Sequence, residues 1–315
     1  MTSIRFSHFR FSRGLFQSTL LTCLISTPLL GGDDPAPILP DASIPDWVPS
    51  VRLGYLHQFD TDLDDGGSFS VDRINLRLGI NRVFDRERSI GLSLGYGLDA
   101  YDFSDLHPEP WSDIHRFSLS VPIRWAIDDQ WKLFAIPTVR SSAESGAGFS
   151  DSITGGFFGG FSYAFGDHLR LGPGIGVLSQ LEDSTSVFPI LIINWKITDS
   201  LQLETGRGFG ASRGPGLNLV WQASADWKIT LGSRYEKLRF RLDDDTSNPD
   251  GIGEHRGIPV YLGASYATSR FSELSVYAGA QFSGEMTLEN ASGKRLSRSD
   301  HDTAAFAGIA WKYGF

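Results

Sequence analysis

Few residues in this chain are equipped for chemistry, and they are scattered. Outside an N-terminal leader the histidines are His57, His107, His115, His168, His255 and His301. An imidazole beside Ser or Asp is the general-base arrangement of a hydrolase. His57 and His301 are the candidates, because they end the first strand and begin the last one, and share the parity of Tyr55 and Ala305. No Ser or Asp stands at a spacing that marks it as their partner, so the plainer reading is polar rim residues facing lipid headgroups. Two acidic stretches could attract a cation: Asp60, Asp62, Asp64 and Asp65 before Gly66-Gly67, and Asp243, Asp244, Asp245 and Asp250 before Glu254. Asp243 and Glu254 have calcium-loop spacing, yet the sixth place is Asn248 rather than glycine, and Pro249 follows. The glycine-rich stretch Gly206–Gly216 precedes no helix, which removes a phosphate-binding loop. The expectation is no catalytic residue, no metal and no cofactor: not an enzyme.

Composition narrows the classes further. The 315 residues carry a net charge of −9, which argues against nucleic acid as a partner. A single cysteine, Cys23, excludes a disulfide framework. After Leu30 no apolar run approaches the ~18–20 residues of a membrane-spanning helix. Glycine, at 35 residues, and the aromatics are plentiful, as in a β-rich chain.

The elements that must position these residues begin with the leader. Arg5, Arg10 and Arg13 precede an apolar run from Leu15 to Leu30 and the small pair Gly31-Gly32. That order is a secretory signal peptide over residues 1–31. Its removal takes the net charge from −9 to −12. Residues 32–47, with Pro35, Pro37, Pro40 and Pro45, read as an extended linker.

From 48 to 315 the dominant signal is alternation. Ile74, Leu76, Leu78 and Ile80 alternate with Arg73, Asn75, Arg77 and Gly79; Phe117, Leu119, Val121 and Ile123 alternate with Arg116, Ser118, Ser120 and Pro122. Strict period two means strands with one apolar and one polar face. About fourteen follow, near 48–58, 69–83, 89–102, 113–127, 131–142, 152–166, 168–180, 186–197, 200–208, 214–225, 227–242, 255–268, 271–286 and 302–315, with twelve as the alternative. Segment 186–197 is apolar on both parities and 131–142 is mixed, so their facings are open. Connections alternate short and long along the chain, which is the signature of an antiparallel up-and-down transmembrane β-barrel with short periplasmic turns. Both termini should then be periplasmic.

Aromatic placement agrees. Trp125, Trp131, Trp195, Trp227, Trp311 and Phe315 lie near short turns or the C-terminus, where a barrel carries an interfacial girdle. With apolar residues facing lipid, Arg52, Arg73, Arg77, Arg116, Arg124 and Arg170 point into the lumen, with Asp99, Glu204 and Glu236 as inward acids. They form either a ladder bracing the wall or the basic lining of a narrow pore.

Four blocks carry a resemblance: Arg140–Gly146, Gly172–Asp183, Gly206–Gly216 and Arg234–Asp245. They resemble an uncharacterised domain-of-unknown-function family of Gram-negative outer-membrane proteins. The resemblance implies a barrel in the cell outer membrane and transfers no functional residue. Phe315 also resembles the C-terminal signature read by the barrel-assembly machinery. The expected function is a narrow passive, porin-like pore for small solutes, with a weak preference for anionic ones. The alternatives are a structural or adhesive barrel and a rim enzyme acting on lipid. Its surroundings would be outer-membrane lipid and lipopolysaccharide.

Overall fold

Alternating residues that cannot satisfy their backbone in lipid singly must pair all round, and here they do. The computed structural model describes residues 47–206 and 216–314, whose strand segments form one sheet. Seventeen segments make fourteen strands, because three strands are each interrupted once. They are β1 (Trp47–Asp62), β2 (Ser68–Val83), β3 (Ser89–Ser104), β4 (Ile114–Ser120 and Ile123–Ala126), β5 (Trp131–Glu144), β6 (Ile153–Phe165) and β7 (Leu169–Gln180). The second half is β8 (Asp183–Lys196), β9 (Leu201–Thr205), β10 (Gly216–Gln222), β11 (Trp227–Arg234 and Glu236–Arg241), β12 (Ile252–Ser269), β13 (Ser272–Glu289) and β14 (Arg295–His301 and Ala304–Gly314). The break in β4 falls at Pro122, which has no N–H to give to a ladder.

The sheet closes on itself. Leu53 of β1 pairs with Leu76 of β2 on one side and with Trp311 of β14 on the other. The count is fourteen, not the alternative twelve. Tight turns join strands at one end (84–88, 127–130, 166–168, 197–200, 223–226), and most connections at the other are longer. Two of the latter are shorter than the sequence suggests: β1 and β2 continue to Asp62 and Ser68, and β8 starts at Asp183. The leader, the linker up to residue 46, residues 207–215 and Phe315 lie outside the described residues.

A belt of exposed apolar side chains surrounds the barrel, including Leu78, Leu94, Leu119, Leu231, Leu262 and Val276. Such a belt is stable only against lipid, since each such side chain is worth ~1.5–3 kcal/mol on leaving water. Trp125, Trp131, Trp195, Trp227 and Trp311 are outward-facing and partly exposed at the tight-turn end.

Above the belt, toward the longer loops, the apolar parity inverts. On β2 the outward residues become Ser70 and Asp72, while Phe69 and Val71 turn inward and are fully buried. On β3 Tyr101 and Phe103 are buried and Asp102 and Ser104 exposed. On β11 the outward Trp227, Ile229 and Leu231 give way to inward Leu238 and Phe240. Water, not lipid, therefore surrounds this end, and it needs an apolar interior of its own. The two-sided apolarity of β8 has a different cause. Its inward Ile190 and Ile192 bury themselves with Phe134 and Ile136 of β5, across the inner surface.

Candidate functional site

The lumen is built in two storeys. In the upper one, Leu238, Phe240 and Leu242 of the β11–β12 hairpin pack on Phe69, Val71, Tyr101, Phe103, Trp111 and Ile114 from β2, β3, the 105–113 loop and β4. The Phe240 ring stands edge-on to Trp111 at 5.1 Å, and Tyr101 stacks on Phe103 at 5.9 Å. Gly253, opposite Phe240 in the hairpin, is required here, because a Cβ would run into that ring. The tip of β11 reaches as far as β5, where Arg241 forms a parallel bridge with Ala143. These strands are not neighbours in the wall. The upper storey is thus enclosed by β1–β5 and β11–β14 and filled with side chains.

Polar contacts hold the hairpin in place. Arg239 donates to Glu289 at 2.5 Å, Glu254 at 3.2 Å and the Leu181 carbonyl at 2.9 Å. Arg241 donates to Glu182 at 2.7 Å and to the Asp151 and Asp250 carbonyls. The Glu144 carboxylate accepts from the Ser112 and Asp243 backbone amides at 2.6 and 2.9 Å. Such charge-assisted bonds are about twice as strong as neutral ones, and here solvent is partly excluded.

Beneath this apolar cluster lies a buried polar layer. Arg73 pairs with Glu236 at 3.1 Å, both side chains about 5% exposed or less. Arg116 donates to Asp99 at 2.7 Å and to Asn75 at 2.9 Å. Arg234 donates to the Tyr261 hydroxyl at 2.6 Å, which in turn donates to Asn218 at 2.7 Å. His255 bridges the storeys, with Nδ1 at 2.9 Å from the Tyr101 hydroxyl and Nε2 at 3.1 Å from the Gln281 amide nitrogen.

The lower storey, toward the tight turns, is a basic vestibule. Arg77 is exposed on the inward face of β2, in register with Arg52 of β1. The charged groups nearest to it are Arg52 and Arg116, and among the described residues no carboxylate pairs with it. Arg124, Lys132, Arg140, Arg170 and Lys196 share that inward parity on β4, β5, β7 and β8, and Arg170 donates to the Gln130 carbonyl at 3.0 Å. The six arginines singled out from sequence therefore divide. Arg73 and Arg116 are wall braces in carboxylate pairs, whereas Arg77 is a solvent-accessible cation.

Outward chemistry is confined to the upper edge of the belt. The His57 ring lies 2.8 Å from Asp72, which also accepts from the Tyr55 hydroxyl at 2.6 Å. His301 is not on this face, contrary to the parity read from sequence. The break between His301 and Ala304 resets β14, so His301 is buried inward with its Nε2 3.3 Å from that of His255. Instead His115, not singled out from sequence, meets Ser145 at 3.0 Å on the outer surface. Only the fold brings them together, since thirty residues separate them. The calcium-spaced pair is likewise decided: Glu254 is engaged by Lys237 and Arg239. Among the described residues no His, Cys, Asp and Glu cluster is placed to hold a metal.

No family model matches the chain, and no curated relative does. Solved structures do match in fold. The COG4313 outer membrane channel from Pseudomonas putida F1 shares 8% identity over 87% of this chain and 97% of that one, with a TM-score of 0.50. A Pseudomonas aeruginosa FadL homologue shares 14% identity over 86% and 90%, with a TM-score of 0.49. The translocator domain of the autotransporter NalP from Neisseria meningitidis shares 12% over 86% and 89%, with a TM-score of 0.36. By fold, then, this chain is similar to outer-membrane β-barrels.

Proposed function

We propose that the protein is a gated channel of the bacterial outer membrane, closed in this conformation, whose periplasmic vestibule favours anions. The observation that carries it is the seam between β5 and β11. The upper half of β11 is laddered to β12 on one side, and on its other edge the described residues show only the Arg241–Ala143 bridge. The hairpin, whose β12 arm is laddered to β13 from Ile252 to Arg256, can therefore swing away from β5 together with that strand while the lower wall stays paired. What parts at the seam is the Arg241–Ala143 bridge, side-chain packing and a ring of ion pairs.

Selectivity follows from where charge lies. Acidic residues crowd the outer loops, in a wide region screened within ~8–10 Å. The cations line a confined lumen with low-dielectric walls, where a ring of Arg or Lys acts most strongly on a passing ion. The supporting context is the lipid-facing belt, the basic leader and the resemblance to the uncharacterised outer-membrane family. On the same reading lipid and lipopolysaccharide surround the belt, and Phe315 is the handle for barrel assembly. The lumen carries out transport rather than reaction.

Planar-bilayer recording tests this. Removing the upper hairpin, residues 237–254, should raise conductance well above that of the intact chain, with a reversal potential favouring anions. Arg77→Ser with Arg124→Ser should move that potential toward cations. Silence from the hairpin-deleted barrel would leave a structural or adhesive barrel as the reading.

A further inference from the structure

Outside the lumen, one constellation has the geometry of a hydrolase. On the outward face of the wall the Ser145 Oγ lies 3.0 Å from His115 Nε2, and the His115 Nδ1 lies 2.9 Å from the Tyr96 hydroxyl. With Nδ1–H donating to Tyr96, Nε2 is left as the acceptor for the serine proton, which is the tautomer a general base needs. Ser145 begins the turn after β5, held by its amide to the Asp113 carbonyl at 2.9 Å. Gly146 follows in the left-handed region at φ 97°, and a Cβ there would strike the Asp243 carboxylate. A tight turn thus presents the hydroxyl at the surface, with a small residue beside it.

The dyad opens on a cavity of about 290 Å³ lined by Phe117, Ser141, Ala143, Ala147 and Phe149. The loop after Ser145 folds back down the outside of the barrel to form it. Ser141 and Ser152 bond at 2.6 Å, and Phe149 stands edge-on to Phe117 at 6.0 Å. Both phenylalanines are exposed at the top of the lipid-facing belt, 46% and 58% respectively. An apolar slot at that height, beside a nucleophile, is accessible to an acyl chain rising from the bilayer while its ester lies at the headgroup level.

We infer that Ser145 and His115 are the catalytic residues of an outward-facing esterase whose substrate class is acyl esters of membrane lipid. Ser145 Oγ attacks the ester carbonyl carbon as His115 Nε2 takes its proton. Collapse breaks the carbonyl–alkoxy bond, and the leaving alcohol receives that proton. Water, deprotonated by His115, then attacks the acyl-serine, releasing a carboxylic acid and restoring Ser145. Tyr96 is a positioning residue that orients the imidazole. A neutral phenol does this less well than a carboxylate, so turnover is slow.

The test uses the full chain, purified in detergent and checked for folding by heat-modifiable migration. A fluorophosphonate should phosphonylate Ser145 in the wild type and leave Ser145→Ala and His115→Ala unmodified. p-Nitrophenyl palmitate should be hydrolysed faster than the butyrate, and both alanine variants should lose about 10²-fold or more. Tyr96→Phe should lower kcat with KM unchanged. An unlabelled Ser145, or ester hydrolysis equal in wild type and Ser145→Ala, overturns the site. Hydrolysis of the butyrate alone overturns the lipid assignment. Conductance of Ser145→Ala should match the wild type, so this inference and the channel reading fail separately.

Discussion

Phe240→Ala is the sharpest test of the plug. The side chain is fully buried against Trp111, in the cluster that holds Phe103 and Leu238, and it leaves that environment when the hairpin withdraws. Truncating a buried Phe costs ~3–5 kcal/mol through lost transfer energy and the cavity left behind. If withdrawal exposes the whole ring, that cost falls on the closed state alone. Since ~1.4 kcal/mol is tenfold in an equilibrium, the open-to-closed ratio should rise by about 10²-fold or more. If the ring is only half exposed on opening, the rise is about tenfold, because roughly half the energy is at stake. The assay is the open fraction in single-channel records, with lipid-facing Leu119→Ala as the control that removes a similar volume outside the gate. An open fraction unchanged in Phe240→Ala, in a barrel that has nonetheless lost heat stability, would refute the reasoning: Phe240 would then be core and not gate.

Three further outcomes are expected. Arg73→Met takes the paired cation from buried Glu236 and should cost ~3–5 kcal/mol in urea unfolding, while adding Glu236→Leu should recover most of it. In the hairpin tip, the hydrogen bond that protonated Asp244 donates to the Asp243 carboxylate, with the charges of Asp245 and Asp243, raises the Asp244 pKa above the ordinary aspartate value. Because these carboxylates lie on one tip and move together, the shift is the same in both states, and the open fraction should stay constant as pH passes through this range. Cysteines placed at Asp64 and Ser247 should react with an impermeant reagent on intact cells, and those at Asp129 and Asp199 should not.

The wall was legible because its cause is local. Period two and the alternation of tight and long connections are written residue by residue, and a lipid-facing strand has little freedom to depart from them. What could not be read was long-range. Arg73 and Arg77 carry the same signal in the sequence, and only the arrival of Glu236 from β11 makes one a brace while the other remains free. His301 was misplaced because parity was carried through a break that no turn residue announces. His115 and Ser145 meet because a loop folds back outside the barrel, which strand periodicity cannot show.

One long-range feature did leave a local trace. Within β11 the odd-numbered face runs Trp227, Ile229, Leu231 and then Lys237, Arg239, Arg241, while the even face changes from Lys228 and Thr230 to Leu238, Phe240 and Leu242. The pleat continues, since the pairing with β12 keeps one register through the interruption. What changes is the solvent outside. A strand whose apolar face switches sides without a change of register has crossed from lipid into water. The same switch on β2 falls between Ile74 and Asp72, on the strand that carries Arg73 inward. A simple pore has no need of an apolar interior above the membrane, where water and polar loops suffice. A closable one does, because a plug that packs against the wall with apolar side chains excludes water when seated and has a definite free energy of release. The inverted parity therefore locates the outer edge of the bilayer and, on the proposed reading, the seat of the gate.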